Sequence, residues 1–180
     1  SLNTRFDIDE WWGTVINRFV AQAVVGAPLT IFGSGNQIRG YITVADAMQC
    51  MIRLLASPPE PGQYEVVNQV TDVLSVRELA QTVARIGRDE FDLTPTIQRI
   101  ENPRVEAEEH PYEVIHEKLE KDFGFSSQSK VEDEIRYMFK RLMEPSSREL
   151  IEASRDTLFP KTLWSGGEKT LEVVEADLDY

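Results

Sequence analysis

Between Gly26 and Pro58 the sequence is punctuated so closely that few folds remain open to it. Leu29 to Phe32 is a short β-prone run, Gly33-Ser34-Gly35-Asn36 is a turn by composition, and Gln37 to Ile42 resumes an extended pattern. Thr43 then offers an N-cap, with Asp46 as an acidic capping partner, for a helix that runs through Ala56 until Pro58-Pro59 closes it. Strand, glycine turn, strand and capped helix in that order predict an α/β arrangement.

The flanking sequence extends the same alternation. Val15, Ile16, Phe19, Val20 and Ala23 recur at helical spacing between Gly13 and Gly26. Gln63 to Asn68 reads as a strand whose Tyr64, Val66 and Val67 suggest burial, and Ser75 with Glu78 makes a capping box for an amphipathic helix to Ile86 that ends at Gly87. Thr96 to Ile100 is a further strand. Helices follow from about Tyr112 to Asp122, before Gly124, and from about Lys130 to Met143, where Tyr137 to Arg141 reads as helix packing with a basic outer edge. Beyond Pro145 the pattern weakens: Ser146 to Arg155 has helical character, whereas Phe159 to Tyr180 has no clear period and Gly166-Gly167 suggests a loose tail. These strands are too few for a doubly wound sheet on their own.

Charge and length narrow the function classes. A chain of 180 residues with 41% hydrophobic content has enough apolar material for one ordinary domain. Its formal charge of −12 opposes non-specific binding to nucleic acid or to an anionic membrane. It does not oppose a local basic site for a small anion. Cys50, the single cysteine, has no internal disulfide partner and lies in an apolar run, which points to a buried structural thiol and a reducing compartment. No apolar stretch approaches bilayer length, and Ser1-Leu2-Asn3-Thr4-Arg5 lacks the order of a signal peptide and reads like a chain cut mid-way.

Three segments carry chemistry. Pro28 to Ile42 contains a strand, a glycine turn and Arg39, the parts needed to lay a flat base against backbone and meet a diphosphate with a guanidinium fork; an ordinary hairpin uses the same parts. Asn102 to His110 is a polar loop whose carboxylates suit acid/base work or, with His110 and His116, a metal, although His-Glu-x-x-His spacing is absent and acidic loops are usually solvated. Thr14 opens a helix, where free N–H groups attract anions.

The strings PLTIFGSGNQIRGYITVADA and NPRVEAEEH, together with Arg5-Phe6-Asp7, Trp12-Gly13-Thr14 and Asn17-Arg18-Phe19, resemble the extended short-chain dehydrogenase/reductase family of NAD-dependent nucleotide-sugar epimerases and dehydratases. The NPRVEAEEH string is similar to the branch of that family that joins sulfite to UDP-glucose. The resemblance implies an α/β fold made of the last Rossmann strand and helix plus a small α/β substrate-binding domain, with the N-terminal Rossmann half missing. Residues 1–143 would form the substrate-binding region, 43–68 returning to the Rossmann sheet, and 144–180 a poorly defined C-terminal extension. Thr30, Ile31 and Phe32 would hold uracil, Arg39 the diphosphate with Gln37 beside it, and Arg104 the diphosphate from the other side. Thr14 would assist with phosphate, and Arg5 would reach the sugar or a sulfite-derived group. The family's R-x-G-[DE] pattern is broken here, with Ala107 where the acid belongs and acids at Glu106 and Glu108, which leaves the ribose contact unassigned.

The same resemblance implies NAD, bound mainly by the missing half, UDP-glucose or a related nucleotide sugar, sulfite or a sulfite donor, a homodimer by analogy, and a cytoplasmic or plastid-stromal setting. In the family, oxidation at C4 acidifies C5, elimination across C5 and C6 follows, sulfite adds at C6 and hydride returns. Neither G-x-x-G-x-x-G nor Tyr-x-x-x-Lys occurs in this chain, so it is expected to hold and orient the sugar rather than catalyse. The alternatives are another nucleotide-sugar epimerase, dehydratase or decarboxylase, or a non-catalytic binding subunit. Taken alone, the chain is expected to leave apolar faces uncovered and to be marginal or aggregation-prone.

Overall fold

Ile16, Phe19, Val20 and Ala23 all turn inward on helix α1 (Val15–Val24), and Gly26, at φ 68°, takes the left-handed conformation that ends it. The structure, a computed structural model, describes residues 14–100, 114–115, 117–153 and 173–174. Strand β1 (Leu29–Phe32) pairs in parallel with β4 (Ile97–Ile100), Leu29 opposite Ile97 and Phe32 opposite Ile100, and β5 (Val173–Val174) adds antiparallel to the other side of β4. Among the described residues, the order β1-β4-β5 leaves β1 at an edge. Strand β2 (Ile38–Tyr41) pairs antiparallel with β3 (Asp72–Ser75) in a separate sheet.

Ser75 ends β3 and at once caps α3 (Val76–Phe91): its hydroxyl accepts from Glu78 N at 3.1 Å, and Glu78 Oε2 accepts from Ser75 N at 2.7 Å. The bonds donated by Ser75, the backbone one first, hold the Glu78 carboxyl below its ordinary range. Helices α1, α3 and α5 (Val131–Leu142) pack on one another over β1 and β4, with Phe19, Leu79, Val83, Ile135, Met138 and Phe139 at the centre. A smaller cluster of Ile42, Cys50, Leu119 and Phe125 joins α2 (Val44–Ala56) to α4 (Glu117–Phe123). Cys50 is fully buried, and burial first, then the Asp46 charge, pushes its thiol up, as an inert structural thiol requires.

Several sequence expectations are corrected. Helix α3 does not stop at Gly87 but continues to Phe91 and ends on Asp92 in the left-handed region at φ 54°. Gly87 is a packing residue: a Cβ there would lie 3.1 Å from Pro95 Cγ and 3.3 Å from Phe139 Cζ. On α5 the inward residues are Met138 and Phe139, while Tyr137 is half exposed. Asp46 does not serve as an acidic capping partner. Thr43 Oγ1 accepts from Asp46 N at 3.1 Å, as capping demands, but the buried Asp46 carboxylate accepts from Ser127 Oγ at 2.8 Å and Gln128 N at 3.1 Å. The expected helix near Ser146 is α6 (Pro145–Ala153), and the tail contributes the two residues of β5.

Gln63 to Asn68 is not a strand, and Tyr64 and Val66 are 86% and 70% exposed. A strand needs a neighbour for its N–H and C=O groups, and no described strand pairs with this segment. Its β-prone residues are real but unmatched. The outer face of α2 is in the same position: Met48, Met51, Ile52 and Leu55 recur at helical spacing and all are exposed.

Candidate functional site

Leu29 N and Gly33 N donate to Thr96 O and Ile100 O, each at 2.8 Å, so alternate residues of β1 face β4 and the main-chain groups of Thr30 and Phe32 face the free edge. Helix α1 lies along that edge. Gln22 Nε2 donates to Thr30 Oγ1 at 3.0 Å, Thr30 N donates to Gln22 Oε1 at 3.3 Å, and Arg18 Nη2 donates to Thr30 O at 3.2 Å. The Arg18 guanidinium also stands 5.5 Å from the Phe32 ring centroid, within cation–π range.

These contacts set the direction of α1. Gln22 meets Thr30 and Arg18 meets Phe32, so four helical residues, about 6 Å, track two strand residues, about 6.6 Å. The helix therefore runs antiparallel to β1, and its exposed N-cap Thr14, whose side chain makes no capping bond, lies toward the glycine turn. Both parallel strands finish at this end, at Phe32 and Ile100, the usual place for a ligand beside a parallel sheet.

The turn is cationic. Arg99 Nε donates to Gly33 O at 3.0 Å, and Arg77 Nη2 to Ser34 O at 2.7 Å. Gln37 Nε2 donates to Phe32 O at 3.4 Å, which leaves its Oε1 buried without a hydrogen-bond partner among the described residues. Arg39 follows on β2, exposed, with Nη1 donating to Ile38 O at 2.9 Å. Among the described residues no carboxylate pairs with Arg39, Arg77 or Arg99, although the chain carries 31 acidic residues. A hollow of about 200 Å³ lined by Val70, Thr71, Glu120, Phe125, Ser126 and Ser127 involves no residue of β1 or its turn.

Thus Thr30, Phe32, Gln37 and Thr14 are gathered at one end of β1, with Arg39 close in sequence on the next strand. The side chains of Thr30 and Ile31 are buried, Thr30 on Gln22 and Ile31 in the core, and the Thr30 main chain is bonded to Gln22 and Arg18, so both support the strand from within. Arg5 and Arg104 lie outside the described residues, as do Trp11, Trp12, the loop from Asn102 to His110, Tyr112 and His116. In sequence, the segment bearing Arg104 follows on Ile100 and the segment bearing Arg5 precedes Thr14. Arg18, Arg77 and Arg99 were not picked out as site residues from sequence. Arg18 stands in the Asn17-Arg18-Phe19 string, whereas Arg77 and Arg99 carry no motif.

Residues 9–68 match the NAD dependent epimerase/dehydratase family. The chain is 40% identical over 164 residues to UDP-sulfoquinovose synthase of Sulfolobus acidocaldarius, covering 91% of this chain and 41% of that protein. It is 46% identical over 118 residues to the chloroplastic UDP-sulfoquinovose synthase of Spinacia oleracea, covering 66% of this chain and 24% of that protein. The chain thus spans less than half the length of these relatives. In fold it is similar to a UDP-glucose 4-epimerase of Thermotoga maritima solved with UDP-glucose, at TM-score 0.62 and 20% identity over 79% of this chain and 44% of the other. It is also similar to MoeE5 in complex with UDP-glucose and NAD, at TM-score 0.59 and 17% identity over 76% and 42% of the two chains.

Proposed function

We propose that this chain, which carries a portion of the NAD dependent epimerase/dehydratase family, is the nucleotide-sugar-holding part of an enzyme that converts UDP-glucose and sulfite to UDP-sulfoquinovose. The observation that supports it most is the outer edge of β1 at Phe32, lined by Arg18 and finishing at a cationic glycine turn in an otherwise acidic chain. Phe32 offers an outward main-chain N–H to a pyrimidine carbonyl, and Arg18 closes over the Phe32 ring beside it. Arg39 and Arg104 grip the diphosphate, Thr14 and the start of α1 add N–H donors, and Arg5 faces the sugar. Fixing the sugar at both phosphates orients its reacting carbons without any chemical step by these residues.

NAD, when bound, takes up and returns the hydride of such a reaction. The described residues do not fit the dinucleotide, because the glycine turn at Gly33 and Gly35 joins two strands rather than a strand to a helix. NAD binding therefore belongs to residues outside this set.

In the intact protein, replacing Arg39 and Arg104 together by alanine is expected to weaken UDP-glucose binding at least about tenfold by calorimetry. Unchanged affinity would remove both from the site. The identities of 40% and 46% favour the sulfonate reaction over another nucleotide-sugar epimerase or dehydratase. Sulfite-dependent consumption of UDP-glucose separates them, since an epimerase or dehydratase turns over without sulfite.

The domain reading follows from the same family. Residues 43–68 complete a parallel sheet supplied by further sequence, and that sheet covers Met48, Met51, Ile52 and Leu55. The exposed stripe on α2 and the unpaired run from Gln63 to Asn68 support this. The chain of residues 1–180 on its own is expected to elute as aggregate in size-exclusion chromatography, and Ile52→Glu with Leu55→Glu to shift it toward monomer. A monomeric chain with a cooperative thermal transition would count against that reading.

A further inference from the structure

We infer that Arg77 and Arg99 are positioning residues for the nucleotide: they hold the glycine turn from behind, so that its carbonyl oxygens are withdrawn from the end of the site where the anion sits. This rests on the proposed nucleotide site and adds residues that neither the family pattern nor the sequence motifs mark.

Four carbonyl oxygens around the turn have donors. Gly33 O accepts from Arg99 Nε at 3.0 Å, Ser34 O from Arg77 Nη2 at 2.7 Å, Gly35 O from Arg77 N at 2.9 Å and Gln37 O from Val76 N at 3.1 Å. A strand and a helix thus meet at one turn: β4 supplies Arg99, and the start of α3, launched from β3, supplies the rest. Gly33 and Gly35, at φ 66° and 76°, make this stretch conformationally permissive, and glycine pays the largest entropy to be fixed. The donors oppose that tendency. Gly35 is also closed in, since a Cβ there would sit 2.8 Å from Ile31 Cγ2 and 3.4 Å from Arg77 Cβ.

The choice of donor matters as well as its position. Neutral carbonyls are ordinarily met by neutral N–H groups, yet two guanidinium groups are used here in a chain of net charge −12, with no carboxylate among the described residues drawing them away. Carbonyl oxygens turned toward a diphosphate would repel it; carbonyl oxygens held by cations on the far side leave the near side to N–H groups and to Arg18.

A positioning role at the anion end predicts that the nucleotide loses affinity chiefly through its phosphates. In the intact protein, Arg77→Ala with Arg99→Ala is expected to weaken UDP about tenfold and uridine by much less, and Arg77→Lys with Arg99 retained to restore most of the UDP affinity, since the ammonium still reaches for Ser34 O. Amide exchange at Ser34 and Gly35 should rise in the double variant while the thermal midpoint moves little. Unchanged UDP and uridine affinity in the double variant would overturn the inference. So would a loss for UDP with amide exchange at Ser34 and Gly35 unchanged, which would make these arginines phosphate contacts instead. Failure of the unsubstituted protein to bind either ligand would bring down the nucleotide reading itself, an outcome distinct from both. Should the double variant not fold, Arg99→Ala alone, which leaves α3 untouched, is read by the same ligands.

Discussion

Asp46→Ala is expected to lower the unfolding free energy of the intact protein by about 2–4 kcal/mol, whereas Asp46→Asn costs about 1–2 kcal/mol, read from urea midpoints at unchanged slope. The carboxylate is wholly buried and accepts from Ser127 Oγ at 2.8 Å, Gln128 N at 3.1 Å and Ser129 Oγ at 3.4 Å. Thr43 Oγ1, which caps α2 through Asp46 N, lies 2.8 Å from Ser129 Oγ, so cap and loop form one network. Alanine removes every acceptor at once and leaves the Gln128 N–H with no partner, a loss the loop can recover only by opening to water. Asparagine keeps one carbonyl oxygen for Gln128 N, and the Ser127 hydroxyl can rotate to accept from the amide nitrogen. Equal losses for the two substitutions would mean that the charge, not the hydrogen-bond count, is what the loop needs. Since this network ties α2 to the turn before α5, its failure should also loosen the small core around Cys50 and Leu119.

The sequence made some of this legible and hid the rest for identifiable reasons. Local rules worked where the partner lies within a few residues: Thr43 and Ser75 cap their helices as their spacing requires, and Gly26 and Gly124 take positive φ where helices end. They failed where the partner is distant. Gly87 looks like a helix stop, but it is small because Phe139, on another helix, occupies the space. Asp46 looks like a capping partner, yet its carboxylate is satisfied by a loop 81 to 83 residues away. Gln63 to Asn68 has the composition of a buried strand, and composition says nothing about whether a neighbouring strand is present to pair with it. For the site, Arg39 and Gln37 were readable because they sit in one contiguous string. Arg77 and Arg99 were not, because what joins them is a turn that each reaches from a different element. Asp72 to Ser75 was hidden behind its own cap: Ser75 serves both as the last strand residue and as the N-cap, and only the helical half of that role shows in the sequence.

Phe139→Ala is expected to have the largest effect on stability, a loss of about 3–5 kcal/mol, and to couple measurably to Gly87. The Phe139 ring is fully buried, stacks on Phe91 with centroids 4.9 Å apart and lies against the α3 backbone at Gly87. Removing it withdraws contact from α3 and α5 together and leaves a cavity among Leu79, Val83, Ile135 and Met138, which belong to the same core. Gly87→Ala in the otherwise unchanged protein sets two effects against each other. Alanine gains about 1 kcal/mol of helix propensity over glycine at this interior position. Its Cβ, however, would be 3.1 Å from Pro95 Cγ and 3.3 Å from Phe139 Cζ, and overpacking of a filled core costs about 1–3 kcal/mol. The sum is neutral to unfavourable. In the Phe139→Ala background the ring contact is gone and only Pro95 remains to give way, so the same substitution should become stabilising and recover part of the loss. A double-mutant cycle by chemical denaturation reads this directly: an interaction term near zero would show that Gly87 is not held small by Phe139, and its place inside α3 would then need another cause. Because α3 also delivers Val76 and Arg77 to the glycine turn at its other end, the cycle separates two uses of one helix. Variants at 87 and 139 should shift the unfolding midpoint while leaving UDP affinity per folded molecule unchanged, and variants at 77 should do the reverse.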